Sequence, residues 1–326
     1  MGKILEVNHL TVEFQTVQGI ASAVRDLSFD INEGEIIGIV GESGSGKSVT
    51  SLAVMGLLDE NTARIPNGEI LFRGKDLLKL SEKELCKLRG AEITMVFQEP
   101  AMALNPVMRV EKQLQEVYRI HARSRAKNCR GELTALLEEL RVPDAGQVLK
   151  KYPFELSGGM KQRIMIAMAM LSKPQLMIAD EPTTALDVTT QAEILELIKM
   201  MQKETGCAVI LITHDLGVIA EMADRVLVMY RGQLVEQREI GEFYRGARHP
   251  YSKDLLRSRP EGFDRRFWSI PGTIPNAYTP LTGCGYCGRC RQAEERCQDT
   301  PPQLTIFPDG SQVRCHKCRG GMENEQ

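Results

Sequence analysis

Short apolar runs, separated by longer segments with helical periodicity, dominate much of the chain. Candidate buried strands are "EIIGIV" (35–40), "QLMIAD" (175–180), "AVILIT" (208–213) and "RVLVMY" (225–230). Between them, "KSVTSLAVMGLL" (47–58) and residues 188–204 have the apolar spacing of helices. Strands that alternate with helices predict an α/β fold with a mostly parallel sheet and helices on both of its faces.

Three regions depart from this pattern. Residues 4–14 and 20–31 alternate apolar and polar positions, which predicts antiparallel strands with one wet face. Helical patterns over 110–122, 129–140 and 158–172 predict an inserted α-helical subdomain at about 101–172. After residue 246 proline and glycine become frequent and apolar residues sparse. We therefore predict a core domain over 1–246 and a small extension over 247–326.

Composition narrows the range of functions. Apolar residues make up 42% and charged residues 26% of the 326 residues, and the formal net charge is −2. A general nucleic-acid binder usually has a clearly basic surface, so this charge argues against nucleic acid as a partner. No apolar run approaches the roughly 20 residues that span a bilayer, and we expect a location in the cytosol unless a partner recruits the chain to a membrane.

A glycine-rich stretch between the first apolar run and a helix has the spacing of a phosphate-binding loop. "GESGSGKS" (41–48) fits G-x-x-x-x-G-K-[ST], in which backbone N–H groups cradle phosphate oxygens at a helix N-terminus. Lys47 is placed to reach the outer phosphates and Ser48 to ligate Mg²⁺. The predicted ATP and Mg²⁺ ligands here are Gly41, Glu42, Ser43, Gly44, Ser45, Gly46, Lys47 and Ser48.

Two further stretches carry polar chemistry. "LMIADEP" (176–182) ends an apolar strand at Asp180, which can hold Mg²⁺ through water, and at Glu181, which can polarise an attacking water. "ELSGGMKQR" (155–163) has a Ser-Gly-Gly turn that opens a helix. Such a turn is an ordinary helix cap or a second anion-binding site, and the second reading makes sense if it caps a nucleotide held by another subunit.

Together these stretches resemble the ATP-binding-cassette (ABC) ATPases. The resemblance identifies Walker A at 41–48, the Q-loop at Gln98, the signature at Ser157, Gly158 and Gly159, Walker B at Asp180 and Glu181, the D-loop at Asp187 and the switch histidine at His214. Met160 stands where the commoner signature has glutamine. We interpret it as a subfamily trait, because the serine and both glycines are present.

The resemblance implies a head-to-tail pair of subunits with two ATP molecules between them. Each ATP would lie between one subunit's Walker A loop and the signature turn of the other. Glu181, Gln98 and His214 are then the expected catalytic residues. Phe14 is the expected aromatic stacked on adenine, although an ordinary strand-face phenylalanine is the alternative.

Several longer stretches are similar to the dipeptide, oligopeptide and nickel importer branch: "VGESGSGKSVTSLAVMGLL", "MVFQEPAMALNPVMRV", "IADEPTTALDVTTQAEILELI" and "RHPYSKDLL". This branch implies a peripheral subunit on the cytoplasmic face of the membrane that powers import. The implied partners are a second, like or identical ATPase, two transmembrane permease subunits and an extracytoplasmic solute-binding protein. Peptide is the expected solute, and nickel or a metal chelate is the alternative.

Six of the nine cysteines lie in the C-terminal extension. In a reducing compartment such a group favours metal binding over disulfides. From spacing alone, two C-x₂-C pairs (Cys284 with Cys287, Cys315 with Cys318) suit Zn²⁺. The resemblance instead implies a [4Fe–4S] cluster on Cys284, Cys290, Cys297 and Cys315. Unoccupied thiols or disulfides are the third possibility.

Two function classes compete with a transporter ATPase. A soluble ABC ATPase that acts on nucleic acid usually carries two cassettes or long insertions, whereas this chain has one cassette and a slight negative charge. A redox-regulated ATPase would use the cysteines as a switch, and its ATPase rate would change severalfold on oxidation.

Overall fold

A computed structural model describes residues 2–121, 129–184, 186–258 and 269–318. Its strands are β1 (Lys3–Thr16), β2 (Gly19–Asn32), β3 (Ile36–Val40), β4 (Ala63–Phe72), β5 (Lys75–Asp76), β6 (Ile93–Val96), β7 (Leu176–Asp180), β8 (Ala208–Ile212), β9 (Arg225–Tyr230), β10 (Gln233–Glu239), β11 (Thr305–Ile306) and β12 (Gln312–Val313).

Its α-helices are α1 (Lys47–Met55), α2 (Glu82–Leu88), α3 (Pro100–Ala103), α4 (Val110–His121), α5 (Arg130–Glu139), α6 (Ala145–Val148), α7 (Gly158–Met170), α8 (Val188–Thr205), α9 (Leu216–Met222), α10 (Ile240–Gly246), α11 (Pro250–Arg257) and α12 (Arg296–Asp299). Three short 3₁₀ turns lie at Leu77–Lys79, Pro153–Glu155 and Cys287–Arg289 in the described residues.

The chain divides into two compact units. The first is drawn from the ranges Met1–Ile4, Ile31–Glu35 and Lys79–Ile212, and the second from Leu5–Asp30, Ile36–Leu78 and Thr213–Gln326. Each unit has its own buried side chains.

The first unit contains a parallel three-stranded arrangement in the order β6, β7, β8. Every residue of β7 and of β8 is buried, which is typical of parallel strands that are covered on both faces. Helices α3 to α7 fill the described part of 101–172, where no strand is present. Helices α4, α5 and α7 pack together through fully buried residues such as Leu114, Leu133 and Ile164.

The second unit contains most of a four-stranded sheet in the order β2, β1, β4, β5, in which β1 and β4 are antiparallel. It also contains β3, parallel to β9, with β10 antiparallel to β9. β12 pairs with the other edge of β10, and β11 pairs with β12. The C-terminal segment therefore adds two short strands to the edge of a sheet that begins in the core.

These elements confirm the predicted α/β fold with antiparallel and parallel strands. The predicted buried strands match β3, β7, β8 and β9 to within one residue at each end. The helical patterns match α1, α4, α5, α7 and α8, and only Ala122 of the predicted helix 110–122 lies outside the described residues. Among the described residues, no helix has the length and apolar character needed to cross a membrane.

Candidate functional site

The loop between β3 and α1 has a backbone that requires glycine at both ends. Gly41 has φ 154°, and a Cβ there would lie 2.2 Å from the carbonyl oxygen of Met229. Gly46, directly before α1, has φ 101°, and a Cβ there would lie 2.5 Å from the carbonyl oxygen of Ala23. Any side chain at these positions would displace the loop, so the two glycines set its shape.

Lys47 folds back over this loop. Its Nζ donates to the carbonyl oxygens of Gly41 (2.8 Å) and Glu42 (3.1 Å), and only 7% of the residue is exposed. Ser45 is 1% exposed, and its Oγ has no hydrogen-bond partner among the described residues. The loop thus holds a cation and an unsatisfied buried hydroxyl within a few residues of each other.

The phosphate loop fits the triphosphate of a nucleotide on these observations. The glycines allow a loop backbone that a Cβ would not permit, Lys47 supplies a positive charge, and the N-terminus of α1 supplies backbone donors. Ser48 lies in the first turn of α1, and its hydroxyl oxygen is a ligand type that Mg²⁺ accepts. Ser43 and Gly44 are exposed at the tip of the loop.

His214 and Phe14 belong to the same unit as the phosphate loop. His214 is exposed and lies just before Asp215, which caps α9 by accepting from the N–H of Gly217 at 2.7 Å. Phe14 is half-buried on β1, opposite Ala63 of β4. Their expected contacts with nucleotide stay predictions.

The first unit brings three predicted catalytic and Mg²⁺ residues to the end of β7. Asp180 ends the strand and is 5% exposed. Glu181 follows in the left-handed region (φ 46°), which is uncommon for a residue other than glycine, and its N–H donates to the carbonyl oxygen of Ile212 at 2.8 Å. Glu181 Oε2 accepts from Gln98 Nε2 (2.9 Å) and from Thr184 Oγ1 (2.8 Å).

Glu181 is thus held in one orientation by two side-chain donors. Backbone strain of this kind persists where surrounding contacts enforce it, and it clusters at functional sites. Thr184 was not among the predicted site residues. The only sequence signal for it is its position three residues after the glutamate.

The predicted signature turn and D-loop also lie together in the first unit. Ser157 caps α7 by accepting from the N–H of Met160 at 3.3 Å. Asp187 caps α8 by accepting from the N–H (3.0 Å) and the Oγ1 (2.7 Å) of Thr190. A Cβ at Gly159 would lie 2.7 Å from Thr190 Cγ2, so the two helix starts touch at this glycine.

Ser157 and Gly158 are exposed, unlike the phosphate loop's Ser45. Among the residues that the structure describes, a Cβ at Gly158 would meet only Leu186 Cδ2, at the ordinary contact distance of 3.8 Å. The structure of the subunit itself therefore does not explain a glycine at this position.

The four cysteines of the predicted iron–sulfur set line one pocket. Cys284, Cys290, Cys297 and Cys315 share this pocket with Cys287, whereas Cys318 is not among its lining residues. The N–H of Cys284 donates to the carbonyl oxygen of Cys297 at 2.8 Å, which ties the two ends of this segment together. The Sγ of Cys318 is directed to the carbonyl oxygen of Arg248.

The donor chemistry of this pocket fits a thiophilic metal centre. Burial raises the pKa of Cys284 to about 12, whereas the neighbouring Cys318 thiol lowers the pKa of Cys315. In the present arrangement, no group of three or more His, Cys, Asp or Glu side chains among the described residues is ready to hold a metal ion. His249 and Tyr286 also line the pocket, and the cysteine spacing gave no sign of either residue.

Comparison with known proteins agrees with this geometry. A family model described as "ABC transporter" matches residues 24–184, and one described as "Oligopeptide/dipeptide transporter, C-terminal region" matches residues 235–297. The dipeptide transport ATP-binding protein DppD of Bacillus subtilis is 47% identical over 97% of this chain and 95% of its own length. The oligopeptide transport ATP-binding protein OppD of Salmonella typhimurium is 46% identical over 96% of this chain and 93% of its own length.

A solved structure shows the same fold. It is the dimeric, post-hydrolysis state of the ATP-binding cassette MJ0796 bound to ADP and Pi. It superposes with a TM-score of 0.65 and 26% identity, and it covers 72% of this chain and 98% of its own chain. From these similarities and the phosphate-loop geometry, the chain belongs to the family of ABC transporter ATP-binding proteins, in the branch that carries the oligopeptide/dipeptide C-terminal region.

Proposed function

We propose that this chain is the ATP-hydrolysing subunit of an importer for peptides. The observation that carries the proposal is similarity along nearly the whole chain, C-terminal region included, to ATP-binding proteins of dipeptide and oligopeptide transport. Import of nickel or a metal chelate is the alternative from the same branch. The ATPase activity itself follows from the family and the fold.

The side chains around Glu181 suit general-base chemistry. Glu181 polarises the attacking water, and the donors from Gln98 and Thr184 hold its carboxylate in place. Lys47 would bind the outer phosphates, Ser48 would ligate Mg²⁺, and Asp180 could hold Mg²⁺ through water. When bound, Mg²⁺ neutralises charge on the phosphate oxygens, and His214 contacts the γ-phosphate.

A second ATPase subunit completes each nucleotide site in this proposal. The exposed Ser157 and Gly158 turn supports it, because a Cβ at Gly158 would make only an ordinary contact, with Leu186, among the described residues. Asp187 lies beside this turn at the start of α8 and would face the partner as well. The dimeric state of the related cassette MJ0796 is consistent with such a pair.

The remaining partners follow from the branch. Two transmembrane permease subunits receive the ATPase pair on the cytoplasmic face of the membrane, next to Gln98, and an extracytoplasmic binding protein delivers the solute. In domain terms, residues 1–246 form the ATPase with its helical subdomain at about 101–172, and residues 247–326 form the extension. No nucleic acid takes part.

Glu181→Gln tests the proposed chemistry. Glutamine retains an oxygen that accepts from Gln98 and Thr184 but is a poor base, so we expect turnover to fall about a hundredfold to ten-thousandfold while ATP binding is retained. Glu196→Gln, at an exposed glutamate of the same unit that pairs with Arg141, is the matched control with wild-type turnover. Wild-type turnover in Glu181→Gln would refute this assignment.

Gly158→Ala tests whether the site is shared between subunits. The added methyl has room in its own subunit, so the melting temperature and the affinity for ATP of the separated subunit should be unchanged. Turnover by the assembled transporter should fall at least tenfold, because the methyl enters the space next to the partner's nucleotide. Gly146→Ala, where a Cβ meets nothing within 4 Å, is the matched control. Full activity of Gly158→Ala in the transporter would refute a composite site.

The solute is identified with the assembled transporter in proteoliposomes. A binding protein loaded with di- or oligopeptide should stimulate ATP hydrolysis and peptide accumulation, whereas Ni²⁺ or its chelates should not. Stimulation by nickel alone would replace peptide import with the alternative.

We also propose that Cys284, Cys290, Cys297 and Cys315 hold a [4Fe–4S] cluster with a structural role, Zn²⁺ being the alternative. Their shared pocket supports the proposal, as does a segment too poor in apolar residues to fold on packing alone. Anaerobically purified protein should be brown and contain about four irons per chain. Cys290→Ser should abolish the visible absorbance, and Cys318→Ser should keep it. Bound zinc without iron would favour the alternative.

A further inference from the structure

An acidic residue lies inside the phosphate loop. Glu42 lies next to Gly41, and its carbonyl oxygen accepts from Lys47 Nζ and from the N–H of Ser45. A carboxylate so close to a polyanion site opposes nucleotide binding unless another charge neutralises it. The loop's backbone geometry also depends on this residue, because Glu42 contributes both its C=O and its N–H to the loop's hydrogen bonds.

Arg289 of the C-terminal segment neutralises this carboxylate. Its Nη1 lies 2.6 Å from Glu42 Oε2 and its Nη2 lies 3.1 Å from Glu42 Oε1, so the pair is bidentate. The arginine side chain is 6% exposed and the glutamate side chain 27% exposed. A planar guanidinium held in this way fixes the orientation of the carboxylate as well as its charge.

Three more contacts hold Arg289 itself. Nε donates to the carbonyl oxygen of Pro271 at 2.8 Å, Nη2 to that of Ile270 at 3.4 Å, and Nη1 to Tyr230 Oη at 3.2 Å. Arg289 ends the 3₁₀ turn Cys287–Arg289 and directly precedes Cys290, which lines the cysteine pocket. Contacts other than the one to Glu42 therefore also fix the position of the guanidinium, and two of them come from the C-terminal segment.

A buried aromatic cluster surrounds this contact. The ring centroids of Tyr230 lie 4.6 Å from Tyr251 and 5.2 Å from Tyr286. Tyr251 Oη accepts from the N–H of Glu42 at 2.9 Å, and Tyr286 Oη donates to Asp254 Oδ2 at 2.6 Å. Arg289 thus holds the side chain of Glu42, and Tyr251 holds its backbone.

We propose that Arg289 is a positioning residue of the nucleotide site: its bidentate pair with Glu42 neutralises the acid in the phosphate loop and holds the loop in its binding conformation. The inference rests on the proposed ATPase function. It adds to that function a residue that lies outside the ATP-binding motifs found in the sequence. Arg289 acts through Glu42 and need not touch the nucleotide.

The test measures Mg²⁺-ATP affinity by isothermal titration calorimetry on the full chain, together with KM and kcat of the assembled transporter. An unneutralised charge about 10 Å from a polyanion, at an effective dielectric constant of about 20, changes a binding constant by on the order of tenfold. We expect Arg289→Met to raise Kd and KM about tenfold and to leave kcat within about twofold. Arg289→Lys, which keeps the charge but loses the fork, should weaken binding by less.

Removing the unpaired acid should restore binding. In the double variant Glu42→Gln with Arg289→Met no buried charge is left alone, so Kd should return to within about threefold of wild type. A role confined to packing would not be rescued in this way. If Arg289→Met does not fold, Arg289→Lys and the double variant still decide the question.

Arg248→Met is the matched control. Arg248 is a partly buried arginine of the same unit that pairs with Asp309 and Ser311 and not with the phosphate loop, so its loss should leave Kd unchanged. Wild-type affinity in folded Arg289→Met, equal weakening in Arg248→Met, or no recovery in the double variant would each overturn the inference. Failure of the wild-type chain to bind Mg²⁺-ATP would overturn the proposed function instead.

Discussion

Gly159 offers a direct test of how the predicted signature turn is packed. A Cβ at this position would lie 2.7 Å from Thr190 Cγ2, which is closer than real Cβ atoms approach a neighbour. In Gly159→Ala, Thr190 must rotate or α7 must move away from α8. Rotation breaks the Thr190 Oγ1 hydrogen bond to Asp187, the cap of α8.

The magnitude follows from these contacts. Overpacking a well-packed contact costs about 1–3 kcal/mol, and the lost side-chain hydrogen bond adds about 1 kcal/mol. Alanine in place of glycine near a helix start returns at most about 1 kcal/mol. We therefore expect Gly159→Ala to lower the free energy of unfolding by about 1–3 kcal/mol.

The assay is urea unfolding of the full chain, followed by circular dichroism. Thr190→Ser removes the methyl that the new Cβ would meet and keeps the hydroxyl that bonds Asp187. The double variant Gly159→Ala with Thr190→Ser should therefore recover most of the lost stability. A Gly159→Ala protein as stable as wild type, or a double variant without recovery, would show that the contact between α7 and α8 is not the cause.

Two more predictions concern the second unit. Gly41→Ala should raise the Kd for ATP more than tenfold by calorimetry, because its Cβ would collide with a backbone oxygen of Met229, whereas Gly44→Ala has open space and should do so less. Glu236→Ala should lower the free energy of unfolding by about 2–6 kcal/mol in urea, because the fully buried carboxylate accepts from two backbone N–H groups. Burial raises the pKa of Glu236 in the folded state above its ordinary value. The stability of wild type relative to Glu236→Gln should therefore increase as the pH falls through that raised pKa to the ordinary glutamate pKa, and it should be constant at higher pH. Equal losses in both glycine variants, or a pH-independent difference, would contradict these expectations.

The sequence predicted the parts of the fold whose pattern reports burial directly. Apart from Asp180 at the end of β7 and Arg225 at the start of β9, the strands β3, β7, β8 and β9 carry no charged residue, because parallel strands are covered on both faces. Their bounds follow from where the apolar run stops. Short motifs also predicted that the glycine-rich loop lies between β3 and α1 and that Glu181 follows β7, as the structure has them, whereas their roles toward ATP stay predictions.

β10 was missed because its pattern is polar. Its buried residues include Glu236, Gln237 and Arg238, and their burial depends on partners elsewhere in the chain. Glu236 accepts from the N–H groups of Arg248 and His249, which precede α11. A hydrogen-bonded buried carboxylate and a solvated one have the same letter in a sequence, so the pattern alone does not separate them.

The contact between Glu42 and Arg289 was missed for a related reason. The two residues are separated by 247 positions. Glu42 was predicted only as part of the phosphate loop, and Arg289 belongs to no motif found in the sequence. Only the fold of the second unit, in which Tyr230 contacts Arg289 and Tyr251 contacts the N–H of Glu42, brings the two charges together. Long-range pairs of this kind carry no local signature.

The pairing of β12 with β10 has a consequence for how the chain can be shortened. Along β10 the register places Glu236 opposite Val313 and Gln237 opposite Gln312. These two residues of the C-terminal segment therefore cover part of the edge of β10. A protein truncated after residue 246 would leave the peptide groups of this edge without hydrogen-bond partners. Exposed edge strands of this kind pair with strands of other molecules. Self-association measured by light scattering should therefore increase on truncation. In a protein limited to residues 1–246, charged substitutions on the exposed edge of β10 should reduce it.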